Sequence, residues 1–177
     1  FTPARPFQCW CSPDCGLTIA RAKKEQADQR KRSDERKADR AKRDKLKTRS
    51  DWMKDAQREF NRYIRLRDAD RACICCGRPL GEDAIGGAYD AGHYRSVGSA
   101  PHLRFDERNV HAQRKQCNLW GSGRAVDYRL GLIQRIGQKA VEALESDQCA
   151  KHYTIEDLKQ IKDTYRQKAR ELEKETA

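Results

Sequence analysis

The chain has 177 residues, 37% of them apolar and 37% charged, and it carries a formal net charge of +11. The length allows one ordinary domain with an appendage, and the polarity excludes a single compact globule. The charge points to a polyanionic partner, nucleic acid before an anionic membrane surface.

No apolar run approaches the ~18 residues of a spanning helix. No leader pattern of basic, apolar and small-residue blocks is present. A cytoplasmic protein without membrane attachment is expected. Eight cysteines fall in two clusters, 9/11/15 and 73/75/76, with Cys117 and Cys149 apart. In a reducing compartment such spacing reads as metal binding rather than as a disulfide frame.

Residues 1–17 read as part of a zinc-finger-like segment. Trp10-Cys11-Ser12-Pro13-Asp14-Cys15-Gly16 offers Cys11 and Cys15 as ligands. A tetrahedral site wants four, and Cys9 is close to Cys11 for joint chelation. Missing ligands would then lie upstream. An irregular tail with chance cysteines is the plain alternative. Residues 18–49 follow as a charged basic helix. Its apolar residues are almost all alanine, which argues against a coiled coil. Asp39 and Arg43 are spaced for an i,i+4 pair. A solvated basic helix of this kind can lie along phosphates.

Residues 50–177 read as one domain. Ser50 is the expected cap of a second helix, whose apolar stripe is Trp52, Ala56, Phe60, Tyr63 and Ile64. Cys73-x-x-Cys76-Gly77 is a knuckle, Gly86-Gly87 a turn, and Tyr89 to Tyr94 a short strand. Phe105 to His111 leads into a second strand. Gln116 to Asp127 begins the helix that completes a ββα unit. Val126, Leu130, Leu132, Ile133 and Ile136 predict an amphipathic helix stopped at Gly137. Thr154 and Asp157 resemble a capping box before a last helix with Leu158, Ile161, Tyr165, Ala169 and Leu172 on one face.

The order of parts carries the chemistry. A Cys-x-x-Cys knuckle, His93 on a short strand, Asn109 further on and Cys117-Asn118 at a helix start are the parts of a ββα-metal nuclease of the HNH class. Hydrolysing a phosphodiester needs a water, a base for its proton, and a cation against the phosphate charge. His93 is the candidate base. Asp90 and Asn118 are the candidate oxygen ligands of a catalytic Mg²⁺ or Mn²⁺. Asn109 is expected to hold the loop that bears the base. Arg95, Arg104, Arg108, Arg114 and Lys115 surround these positions and are candidate phosphate contacts. The fold expected is α+β, mostly α. A small HNH-like module with a zinc knuckle is flanked by the charged N-terminal helix and by C-terminal helices.

The runs Asp90–Arg95, Ala100–His111, Cys117-Asn118 and Ser122-Gly123 resemble the phage lambda NinG (Rap) recombination protein family. The likeness extends to Arg135-Ile136-Gly137-Gln138 with Val141, to Thr154-Ile155-Glu156, and to Trp10–Gly16. It implies a metal-dependent endonuclease acting, as a homodimer, on branched DNA such as D-loops and Holliday junctions during phage recombination in a bacterial cell. The family pattern has a second Cys-x-x-Cys before the asparagine, and Arg114 stands where its first cysteine would fall. The structural zinc would then be held by Cys73, Cys76 and Cys117, with His111 or Cys75 as the fourth ligand. Gly92 stands where many HNH modules carry a metal ligand, and Asp90 would replace it. Two alternatives are a non-catalytic zinc-dependent DNA-binding module and a helical adaptor. No phosphate-binding glycine loop or dinucleotide fingerprint suggests a small-molecule substrate.

Overall fold

The computed structural model describes residues 1–3, 5–81, 88–120 and 124–175. The expected Gly86-Gly87 turn and the Ser122-Gly123 pair lie outside them. The chain divides into two compact units, residues 1–47 and 48–177. The described residues are mostly helical, with one two-stranded antiparallel sheet. No described helix is long and apolar enough to cross a membrane.

The first unit is one long helix with a short lead. Helix α1 spans Pro13–Leu46, and the Ser12 hydroxyl caps it by accepting the Cys15 amide at 3.2 Å. Proline at its first position suits a helix start, because an amide there would have no partner. No residue of α1 is buried. Cys15 sits in its first turn, and among the described residues no metal-ligand group includes Cys11 or Cys15.

Helix α2, Arg49–Arg67, opens the second unit. Its cap is Thr48, two residues before the expected Ser50. The Thr48 hydroxyl accepts the Asp51 amide at 3.3 Å, and the Asp51 carboxylate accepts the Thr48 amide at 3.0 Å. This reciprocal pairing satisfies two helix-end donors, which Ser50, one residue into the helix, cannot do. The α2 stripe packs against helix α5, Ile155–Glu175, itself started by a Thr154–Asp157 box. Phe60 is fully buried between Phe105 and Tyr165, edge-on to both rings at 5.6 and 4.6 Å. Fully burying a side chain such as Phe60, Ile64 or Leu158 contributes about 2 kcal/mol.

The sheet is a ribbon of β1, Tyr89–His93, and β2, Val110–Arg114. Tyr89 pairs with Arg114, and His93 with Val110. Ala91 and Val110 join the α2–α5 core. A second core gathers Ile74, Ala100 and Leu103 under helices α3, Ala125–Ile136, and α4, Gln138–Ser146. The two helices meet at Gly137, whose φ of +85° a side chain would resist.

Two expectations fail in α3. Its buried residues are Tyr128 and Leu132, whereas Val126 and Leu130 are 75% and 57% exposed. The helix after β2 is also broken: Gln116–Trp120 forms a single π-helical turn, and α3 starts only at Ala125.

Candidate functional site

His93 closes β1. Its Nε2 lies 3.0 Å from the Arg104 carbonyl oxygen. A carbonyl can only accept, so Nε2 carries the hydrogen and Nδ1 keeps the lone pair. Burial pushes the His93 pKa down, the carbonyl bond opposes this, and the Arg104 charge adds to the lowering. The imidazole is therefore neutral near pH 7 and has its Nδ1 lone pair available as a proton acceptor. The loop opposite is fixed by Asn109, which is fully buried. Its side-chain oxygen accepts the Arg95 amide at 2.8 Å. Its amide nitrogen donates to the carbonyls of Arg95 and Leu103 at 3.0 and 3.1 Å.

Asp90 and Asn118 are brought together: the Asn118 amide donates to the Asp90 carboxylate at 3.2 Å. Their oxygens suit a hard divalent cation, although two side chains fill only part of its shell. Side chains alternate along a strand. Asp90 and Gly92 thus share one face of β1, and Ala91 and His93 the other. The ion donors and the candidate base do not converge on one face. Position 92 is a glycine lying against Gln113, whose Oε1 would stand 2.2 Å from a Cβ there, so a side-chain ligand at this position would require Gln113 to move aside.

The cysteines do converge. Ligand atoms of Cys73, Cys75 and Cys117 all lie within 4.8 Å of one another, and the group can hold a metal ion. Cys73 and Cys117 are buried. The knuckle brings the Gly77 amide to the Cys73 carbonyl at 3.0 Å, and Gly77 takes a φ of +66° to do so. Burial pushes the Cys73 thiol up, but the amides of Arg114, Cys76 and Cys75 aimed at its sulfur outweigh that and lower it. Burial raises the thiols of Cys75 and Cys76.

His111 belongs to a different cluster, contrary to the expected zinc role. Its Nε2 faces the Arg108 carbonyl at 3.2 Å, so that nitrogen is protonated, and its Nδ1 accepts from Arg67 at 3.0 Å. With both nitrogens engaged, no lone pair is left for a metal. Asp68, with no exposed surface, takes a two-pronged pair from Arg67 at 2.9 Å and accepts the Ala112 amide at 2.9 Å. Burial alone would raise its carboxyl, but these partners hold it well below the usual range.

The candidate phosphate contacts have mixed positions. Arg95 donates to the Leu144 and Glu145 carbonyls at 3.1 and 2.7 Å, which caps the end of α4. Arg104 donates to Gln57 at 3.1 Å. Arg108 is paired with Asp106 at 2.6 Å. Arg114 lines the cysteine cavity with Arg78 and Arg124. The Lys115 amide donates to the Ala88 carbonyl at 3.5 Å.

The chain has relatives along nearly its whole length. The profile of the family described as "Bacteriophage Lambda NinG protein" matches residues 1–175. The protein ninG of Escherichia phage lambda is 44% identical over 97% of this chain and 87% of its own length. That of Salmonella phage P22 is 44% identical over 97% and 88%, and that of Escherichia phage 933W 42% identical over 97% and 89%. The chain belongs to the NinG family. No solved structure matches it.

Three residues of this NinG chain matter more than its sequence suggests. The Tyr128 hydroxyl donates to the Gly92 carbonyl at 2.8 Å and accepts the His111 amide at 3.1 Å, tying α3 to both strands. Asp68 anchors the end of α2 to β2. Gly131 lets α3 touch the knuckle: a Cβ there would stand 1.8 Å from the Ile74 carbonyl oxygen. A tyrosine at helical spacing from Leu132 is the one visible signal, and the more apolar Val126 and Leu130 mask it.

Proposed function

We propose that this protein is a metal-dependent endonuclease of the HNH type that cuts branched DNA intermediates of phage recombination. The observation that carries the reading is the 3.0 Å contact of the His93 Nε2 with the Arg104 carbonyl, from which the tautomer follows. A neutral imidazole is held by the Arg104 carbonyl with its Nδ1 lone pair available, as a base that activates water must be. Asn109 supports the same reading by fixing the loop that carries that carbonyl. Asp90 and Asn118 would hold a Mg²⁺ or Mn²⁺ ion, which would offset charge on the phosphate and the leaving oxygen. The solvated basic face of α1 supplies phosphate contacts without sequence preference.

A second reading rests on one observation. β1 sets Asp90 and His93 on opposite faces. A ribbon with base and ion donors apart would bind DNA without cutting it. The two readings separate on a labelled four-way junction and D-loop set beside matched linear duplex, with Mg²⁺, Mn²⁺ or EDTA. Cutting of the branched forms that needs the ion supports the nuclease. Tight binding with intact strands under every condition supports the binding module.

A further inference from the structure

The position of Arg114 leaves the cysteine site one ligand short of the pair of Cys-x-x-Cys motifs that the family resemblance implies. The geometry identifies the replacement. Cys75 lies inside the knuckle, between the two cysteines that a simple Cys-x-x-Cys would use. Its sulfur is 3.5 Å from that of Cys73. It also forms, with Cys73 and Cys117, the group whose ligand atoms lie within 4.8 Å. Cys76, the second cysteine of the knuckle, interacts with both Cys117 and Cys73, and its sulfur, outside the 4.8 Å group, would move in to complete the site. A tetrahedral ion ~2.3 Å from each sulfur spaces its sulfurs ~3.8 Å apart, so the cluster has the right scale.

We propose that Cys75 is a metal ligand, completing with Cys73, Cys76 and Cys117 a four-sulfur site for a zinc-class ion. His111 is excluded because both its ring nitrogens are engaged elsewhere. The surroundings fit bound thiolates. The Arg114 amide donates to the Cys73 sulfur at 3.3 Å, the Gln113 side chain to that of Cys75 at 3.4 Å, and Arg124 approaches that of Cys117 at 4.0 Å. Donors on ligand sulfurs orient them and stabilise their charge. Four thiolates around a divalent cation leave two net negative charges. Arg78, Arg114 and Arg124 line the same cavity together with Asp127, which pairs with Arg124 at 3.2 Å, so three positive charges less one negative leave two to offset that excess. The residue at position 114 thus serves the site through its backbone and its charge rather than as a ligand. Soft sulfur donors select zinc over the hard ions suited to Asp90 and Asn118. This assignment stands apart from the nuclease reading.

The test is X-ray absorption at the zinc edge on the full chain purified with its metal. Four sulfur scatterers at ~2.3 Å are expected. Three sulfurs with a lighter atom, or a chain that retains no zinc, would overturn the assignment. Cobalt substitution gives a second reading. The wild type should show sulfur-to-cobalt charge transfer of a four-thiolate tetrahedral site, and Cys75→Ser should show a weaker band with an affinity lowered by at least the roughly 10- to 100-fold that loss of an outer-shell partner costs. Cys149→Ser, at an exposed cysteine, should change neither. A Cys75→Ser protein with unchanged spectrum and affinity would also overturn it. If that variant does not fold, the absorption measurement on the wild type still decides.

Discussion

Asn109 holds Arg95 by both ends of its backbone, accepting its amide at 2.8 Å and donating to its carbonyl at 3.0 Å. A third bond reaches the Leu103 carbonyl, so one buried side chain closes the whole loop from residue 94 to residue 108. Asn109→Ala leaves three backbone groups without their partner. A loss of about 2–4 kcal/mol in unfolding free energy is expected, read by urea denaturation. Asn109→Asp keeps the acceptor and loses the donor, so it should also be destabilised. An Ala variant as stable as wild type would mean that the loop is held by other interactions.

Gly131 sets how closely α3 approaches the knuckle. The obstacle to a side chain there is the Ile74 carbonyl, which is backbone and cannot rotate away. Gly131→Ala should therefore cost about 3 kcal/mol or more, at the upper end of overpacking effects, even though alanine is the better helix former. A raised melting temperature would show that α3 has room at this position.

Much of this architecture is legible in the sequence, and the failures have definite causes. The α2 and α5 stripes are readable because each buries one broad apolar face. The knuckle is readable from cysteine spacing. In α3, two rows compete at the same i,i+4 spacing. Val126 and Leu130 are the more apolar row, but Tyr128 fills more volume and finds two buried partners for its hydroxyl. Periodicity cannot see those partners. His111 reads as a metal ligand because it stands near the cysteines in the chain. Its true neighbours, Arg67 and Asp68, come from the end of α2 and are joined to it only by the fold. The opposite facing of Asp90 and His93 is implicit in strand alternation once both are placed on β1.

Stability should fall with pH in a defined window. Burial lowers the pKa values of both His93 and His111 in the folded chain. The unfolded chain, with a histidine pKa of ~6.5, takes up these protons first as pH drops. The histidine contribution is complete above that value and is lost as pH falls toward the folded-state values; further down, Asp68, held low in the fold, adds its own loss as pH drops below the ordinary aspartate pKa of ~3.9. Unfolding free energies by urea at a series of pH values should show this slope. His93→Gln should make it shallower. An unchanged slope would mean that His93 titrates alike in both states.

The basic face of α1 should govern salt dependence without affecting folding. Arg32, Arg36 and Arg40 are exposed and line one side of the helix. Replacing each by Gln should lower the slope of log affinity against log salt by roughly 0.9 for every phosphate that is no longer neutralised. The melting temperature should stay nearly constant, as expected for exposed substitutions. A slope equal to that of wild type would remove α1 from the DNA interface.

The central claim is that His93 takes the proton from an attacking water. It is tested most directly by comparing wild type with His93→Ala on one four-way junction, measuring binding and single-turnover cutting in Mg²⁺ and Mn²⁺. The account predicts junction affinity within about twofold of wild type and cutting slowed by at least about 100-fold, the loss expected for a general base. A His93→Ala protein that cuts at the wild-type rate would contradict it, as would a wild type that binds the junction and leaves it whole in both metals.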